Sequence, residues 1–556
     1  MTRTSPRPAV ALALVAALLA YVGCARTIET PRSSTAAGPA APATPAPSSS
    51  TVDPKVEAAS AQAEPQPAGP PAAQAKSEQK PKLFDQWAAR PPAGVLVISG
   101  EQEGYLQPCG CTDGQLGGLG RRYDLVEKLK AKGWPVAAVD LGNLIHDPAG
   151  SRGGPEQEKV KFDTALKALA AMNYQAVALG PEDLKLGVME TLGVLLNLKG
   201  PRFLAANLVP GDGFEATVRP TSEFRVGPVA VGVTAVIDPA SFQALADPDK
   251  AALLTLKQPD DVLPGALASF AKGTAIRVLL VQGPVEEGRR LAEKFPNFDL
   301  VVSRSRFEDP DERAEVLNGG KTLLINVGRK GKYAGMVALD PGSTPKVRYF
   351  RQPLDGRSFR EAESMRVLID EEYQAILKAV GVVEKATRNT NLAYPAGATY
   401  AGAESCQSCH PNTFAKWSTT KHARAYLALT SNPKRNREFD AECISCHTTG
   451  FPYKSGFVST EATSHLKGNQ CENCHGPGSL HNAEPDNLAY RKPMAMTAAT
   501  ADSTGFCTKC HDADNDPHFA FASYYAQIFH KGLDTYDDPK VHQKQPKAEK
   551  VAGASK

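Results

Sequence analysis

Four Cys-x-x-Cys-His pentads stand between Cys406 and His511 and use eight of the eleven cysteines in this 556-residue chain. They read Cys406-Gln-Ser-Cys409-His410, Cys443-Ile-Ser-Cys446-His447, Cys471-Glu-Asn-Cys474-His475 and Cys507-Thr-Lys-Cys510-His511. In such a pentad both thiols add to the vinyl groups of one porphyrin, and the adjoining imidazole ligates its iron from one face. Paired Cys-x-x-Cys units also build tetrahedral zinc sites, but zinc does not require a histidine directly after the second cysteine each time. Four covalent c-type haems are therefore expected, with His410, His447, His475 and His511 as proximal ligands.

The spacing between pentads leaves too little polypeptide for a conventional core. The porphyrins themselves are expected to supply most of the buried apolar surface, wrapped by short helices and loops. The sixth coordination position then separates conduction from catalysis. Six further histidines follow the first pentad: His422, His465, His481, His518, His530 and His542. They suffice to close all four irons as bis-histidine centres suited to outer-sphere transfer. His422, His465, His481 and His530 are the favoured distal ligands, and an exposed or core role stays open for each. Met494 and Met496 are thioethers able to ligate iron, with simple packing as their default role.

The remaining chain has to deliver and present this segment. Hydrophobic residues make up 42% and charged residues 22%, ordinary for globular protein, and the length allows two or three domains. A formal charge of +3 with no Lys/Arg cluster among aromatics argues against nucleic acid. Arg3 and Arg7 precede an apolar run from Ala9 to Val22 that ends at Gly23-Cys24, an export signal too short for a conventional membrane span. The Gly-Cys end resembles a bacterial lipobox, which implies lipidation of Cys24; ordinary signal cleavage is the alternative. Residues 25–83 are rich in Ala, Pro, Ser and Thr and cannot offset their ordering entropy, so they read as a tether with a span on the order of 40–50 Å. The expected location is the periplasmic side of a bacterial membrane, with a lipid anchor. Periplasmic or membrane redox proteins are the expected partners.

Between residues 84 and 356, β-rich runs alternate with amphipathic helical stretches. Gly94–Ile98, Val136–Val139, Ala176–Leu179, Val278–Val281 and Leu300–Val302 read as buried strands, and Arg121–Lys132, Lys159–Met172 and Val285–Phe295 as helices between them. Three runs near Thr322–Asn326, Ala334–Leu339 and Val347–Phe350 suggest a closing antiparallel set. The fold class is thus an α/β sandwich, followed by a helical connector over 357–397, a haem domain over 398–539 and a Lys-rich tail over 540–556.

The turns of the α/β region resemble those of the calcineurin-like metallophosphoesterases, especially the 5′-nucleotidase branch. That family carries Asp-x-His, Gly-Asp and Gly-Asn-His-Asp/Glu loops that hold two metals. Here the corresponding loops read Ser99-Gly100-Glu101, Asp140-Leu141-Gly142-Asn143 and Gly180-Pro181-Glu182-Asp183. Later strand ends, Gln282-Gly283-Pro284 and Ser303-Arg304-Ser305-Arg306, add no histidine, and His146 is the domain's one imidazole. A two-metal site needs several nitrogen and carboxylate ligands, so a degenerate, non-hydrolytic domain is expected. In the loop after the first strand, Pro108-Cys109-Gly110-Cys111 offers two thiols one residue apart. They suit a soft metal such as Cu(I), a disulfide or a redox pair, or else are structural thiols in a tight loop.

Residues 398–535 resemble the cytochrome c-554 family. The likeness rests on Tyr400-x-Gly402, Trp417-Ser-Thr-Thr-Lys-His422, Cys446-His447-Thr-Thr-Gly450-Phe, Cys474-His475-Gly-Pro-Gly-Ser-Leu-His481 and the stretch from Phe519 to His530. It implies a mostly α-helical tetrahaem domain that carries electrons, with His422, His481 and His530 as distal ligands; some members keep one iron five-coordinate. The favoured expectation is an electron relay more than an enzyme. The alternatives are an oxidoreductase acting on a small nitrogen or oxygen compound at one open haem, and a metal-dependent phosphoesterase fused to a cytochrome.

Overall fold

Strand β1 (Gly94–Ser99) is buried at every position because both of its faces are covered. Leu96 and Ile98 point between two sheets, whereas Val95 and Val97 point to a helical layer. A parallel strand buried on both faces reads as a continuous apolar run, which is why β1 was legible as Gly-Val-Leu-Val-Ile. The computed structural model describes residues 83–108, 114–386 and 388–534. Cys24, Cys109, Cys111 and His542, with the expected signal, the tether up to residue 82 and the whole of the expected tail, lie outside the described residues.

The first sheet continues through β2 (Val136–Asp140), β3 (Tyr174–Ala178) and β4 (Arg202–Leu204), all parallel. The second contains β5 (Thr221–Val226), β6 (Val229–Ile237), β7 (Ile276–Gln282), β8 (Leu300–Arg304), β9 (Glu315–Leu317) and β10 (Thr322–Val327). The chain then returns to the first sheet as β11 (Tyr333–Leu339) and β12 (Val347–Pro353), antiparallel to β1 and to each other. The strand orders are β12-β11-β1-β2-β3-β4 and β9-β10-β8-β7-β6-β5. Val231, Val233, Val278 and Leu280 of the second sheet meet Leu96 and Ile98 in the shared core. Helices α1 (Leu119–Ala131) and α2 (Gly154–Ala171) cover the outside of the first sheet, and α3 (Val285–Lys294) that of the second. The sandwich class is as expected; β4, β5, β6 and β9 extend the expected strand set.

The connector departs from a plain helix. Glu363–Arg366 is α-helical, Val367–Glu372 is a π-helical segment, and α4 (Tyr373–Val380) follows. The wider turn buries Leu368, Ile369 and Asp370 in succession, which a regular 3.6-residue turn presents on diverging faces.

Beyond it the chain forms short helices: α5 (Pro411–Ser418), α6 (Ala441–His447), α7 (Cys471–His475), α8 (Ser479–Ala483) and α9 (Phe521–Ile528). Helices α5, α8 and α9 bury none of their residues fully, although α9 carries Phe521 and Tyr525. Among the described residues, no helix is long and apolar enough to cross a membrane.

Candidate haem-binding site and its seat on the α/β domain

Two pairs of imidazoles meet across the helical segment. The ring centres of His475 and His530 are 5.8 Å apart, and those of His422 and His511 are 6.0 Å apart. When a metal lies ~2 Å from a nitrogen of each of two opposed imidazoles, the ring centres fall roughly 6 Å apart. The residues therefore fit an iron between each pair. The tautomer is prepared as well, because a ligating histidine normally gives its other N–H to an acceptor. His475 Nδ1 faces the Met494 carbonyl at 2.8 Å, His530 Nδ1 the Ile528 carbonyl at 2.8 Å and His447 Nδ1 the Ala425 carbonyl at 2.6 Å. His511 Nδ1 faces a carboxylate instead, Asp516 Oδ2 at 2.8 Å. In each case Nε2 is left for the iron. Met494 thus serves the third pentad through its carbonyl.

Long-range hydrogen bonds set these rings in place. Asp534 accepts from the Asn412 and Thr413 N–H groups at 3.0 and 2.9 Å, capping the first turn of α5 and holding the segment that carries His530. The Asn469 N–H donates to the His422 carbonyl at 3.0 Å, and Trp417 Nε1 donates to the Asn469 carbonyl at 3.0 Å. Within the third pentad, Glu472 accepts from the N–H groups of Ala401, Gly402 and Gly478. Asn473 Nδ2 donates to the Thr448 carbonyl at 3.0 Å. The two variable residues of Cys471-Glu-Asn-Cys474 therefore tie the first and second pentads to the third. The pattern Gln470-Cys-Glu-Asn signals this hub only through its polarity.

The other expected distal ligands are placed less symmetrically. His481 lies on α8, which is tied to the lead-in of the first pentad: Asn482 Nδ2 donates to Ser405 Oγ at 2.8 Å and the Ser479 N–H to the Thr399 carbonyl at 3.2 Å. His465 is exposed, and its ring edge lies beside Gly402. His518 is exposed. Among the described residues, neither His465 nor His447 has a second imidazole paired with its ring.

The second and fourth pentads rest on the α/β domain. Gln157 of α2 donates to Asp440 Oδ1 at 2.7 Å and accepts from the Ala441 N–H at 3.2 Å, gripping the start of α6. Lys161 Nζ reaches Glu442 Oε1 at 2.6 Å. Arg152 Nη1 donates to Ser445 Oγ at 2.9 Å and lies 3.2 Å from Cys446 Sγ, while Nη2 donates to the Lys509 carbonyl at 3.0 Å. Near the fourth pentad, Asp514 takes hydrogen bonds from Tyr105 Oη, Gln115 Nε2 and Lys330 Nζ at 2.8, 2.7 and 2.7 Å.

The strand-end loops of the sandwich also converge, but as a closed polar network. Glu101 accepts from Asn143 Nδ2 at 2.9 Å and pairs with Arg304 Nε at 3.0 Å. Asp140 accepts from Ser99 Oγ and the Gly142 N–H, with the fully buried Arg122 guanidinium 3.7 Å away. Asp183 accepts from the N–H groups of Asn143, Leu144 and Gly180. Burial pushes the Glu101 carboxyl up to about 7 despite Arg304, and burial likewise pushes Asp183 up to about 7 despite its backbone donors. His146 is exposed at the edge of this cluster. Among the described residues, no group of three or more metal-ligating side chains converges. Arg304 and Arg122 thus face the carboxylates of Glu101 and Asp140.

Residues 405–476, which contain the first three pentads, match the family described as "Cytochrome c554 and c-prime". This match implies c-type haem in the segment. Cytochrome c-554 of Nitrosomonas europaea is 32% identical over 117 residues, covering 18% of this chain and 50% of that protein. The chain thus spans about half the length of this curated relative. Among solved structures, the chain is similar to the 5′-nucleotidase precursor from Thermus thermophilus, at 17% identity over 51% of this chain and 59% of that one, TM-score 0.44. It is also similar to the Haemophilus influenzae NAD nucleotidase, at 14% identity over 56% and 63%, TM-score 0.43. A third is the Bacillus subtilis calcineurin-like phosphoesterase YfkN, at 17% identity over 52% and 98%, TM-score 0.41.

Proposed function

We propose that this chain is a tetrahaem c-type cytochrome that relays electrons between periplasmic or membrane redox partners. The pairing of His475 with His530 and of His422 with His511 carries the reading. Held between two such imidazoles, an iron would have no vacant position for a substrate, which suits outer-sphere transfer. The haem iron supplies a one-electron Fe(III)/Fe(II) couple. The protein attaches it through Cys406, Cys409, Cys443, Cys446, Cys471, Cys474, Cys507 and Cys510, and orients each proximal ring. His481 serves the first iron, supported by the ties between α8 and the Thr399–Ser405 segment. Export, and anchoring through a lipid on Cys24, belong to the same proposal and rest on the apolar run from Ala9 to Val22.

The experiment is haem quantitation and low-temperature electron paramagnetic resonance on one oxidised sample. Four haems per chain with low-spin signals from at least the third and fourth irons are expected. Fewer than four haems, or high-spin iron at all sites, defeats the relay.

A second reading is favoured by His447, whose ring is paired with no other imidazole among the described residues. An open second iron suits an oxidoreductase acting on a small nitrogen or oxygen compound. Stoichiometric nitric oxide binding at one iron, together with turnover of such a compound, would select it over the relay. The phosphoesterase reading is disfavoured by the Arg304 and Arg122 contacts to Glu101 and Asp140.

A further inference from the structure

Arg152 belongs to the α/β domain, on the turn before α2, yet the hydrogen bonds of its guanidinium run to the second and fourth pentads and to the Glu442 carbonyl directly before the second. Its contacts are symmetric in sequence. Ser445 and Lys509 each directly precede the second cysteine of their pentad. One cation therefore spans the attachment edges of two sites. The neighbouring grips of Gln157 on Asp440 and Lys161 on Glu442 hold α6 against this face, so the groups that the exposed Arg152 meets on α6 are kept in place. A guanidinium stays charged at any ordinary pH. Adding an electron to a ferric haem removes one positive charge, and a nearby fixed cation favours the state with less positive charge.

We propose that Arg152 is a positioning residue through which the α/β domain spaces the second and fourth haems and raises their reduction potentials. The α/β domain would then be part of the electron carrier, with its own strand-end chemistry closed. This inference rests on the four-haem reading above.

The test uses the full-length holoprotein as wild type, Arg152→Gln, Arg152→Lys and Ser445→Ala, with haem content measured before potentiometric titration. In Arg152→Gln, two of the four centres are expected to titrate at lower potential while the other two stay in place. Arg152→Lys, which keeps the charge, should return both toward wild type. Ser445→Ala removes only the hydroxyl that holds Nη1 and should lower the same pair by less; it decides the matter if Arg152→Gln does not mature. Four haems with unmoved potentials in the variants overturn this inference and leave the relay standing. A wild type with fewer than four haems overturns the proposed function, and this inference with it.

Discussion

The imidazoles of His475 and His530 stand 5.8 Å apart, ring centre to ring centre, with the planes at 69°. One belongs to a pentad, and the other follows the C-terminal end of α9. What brings them together is Asp534, whose carboxylate caps α5 beside the first pentad and so folds the end of the chain back over the third. The imidazole of one pentad is thereby met by a segment anchored at another.

His530→Ala should open the third iron alone. One low-spin ferric signal is expected to give way to a high-spin one, and added imidazole should reverse the change. His422→Ala should do the same for the fourth iron. An unaltered spectrum in either variant would mean that the rings do not share an iron.

Asp516 places a carboxylate on the proximal ring of His511, whereas His447 and His475 use carbonyls. Holding an iron, His511 would be made a stronger donor by that charge, which would favour the ferric state. Outer partners of metal-bound histidines are worth about 10–100-fold in affinity. Asp516→Asn should raise the potential of one centre enough to set it apart in a redox titration. A downward shift would contradict this account.

Gly476 has φ of 81°, and a Cβ there would lie 1.9 Å from Tyr394 Cζ. Gly476→Ala should therefore cost about 1–3 kcal/mol in backbone strain beyond the clash, seen as a lower thermal midpoint and reduced occupancy of the third haem. Adding Tyr394→Ala should remove the clash and leave the strain. Equal stabilities of the single and double variants would rule out that division.

Glu101 is held at about 7 in the folded protein against 4.5 ordinarily, through burial first. It binds its proton more tightly folded than unfolded, so its contribution is fully present below pH 4.5 and is lost as pH rises through 7. The loss amounts to roughly 3 kcal/mol at most. Asp183 acts in the same direction. Calorimetry from about pH 4.5 to 8 should show falling stability, with a shallower fall in Glu101→Gln; identical slopes would place the titration elsewhere.

The full-length chain is expected not to hydrolyse a generic phosphate diester with manganese, zinc or magnesium, since Arg304 and Arg122 already face the carboxylates a metal would need. Metal-dependent turnover that saturates with substrate would restore the phosphoesterase reading.

Haem attachment was legible because the chemistry is local: two thiols and an imidazole within five residues must serve one porphyrin. The double-faced strands were legible for a similar reason, since Val-Leu-Val-Ile has nothing polar to show to water. The π-helical turn at Val367–Glu372 was not, because it answers to what buries Asp370 rather than to its own periodicity. Sequence alone determined the haem-attachment chemistry and the layered class of the α/β region. Which imidazole faces which, that Arg152 bridges two pentads, and that Arg304 answers Glu101 were decided by the tertiary structure. Those contacts join groups far apart in the chain, and their geometry depends on the path of every element between them.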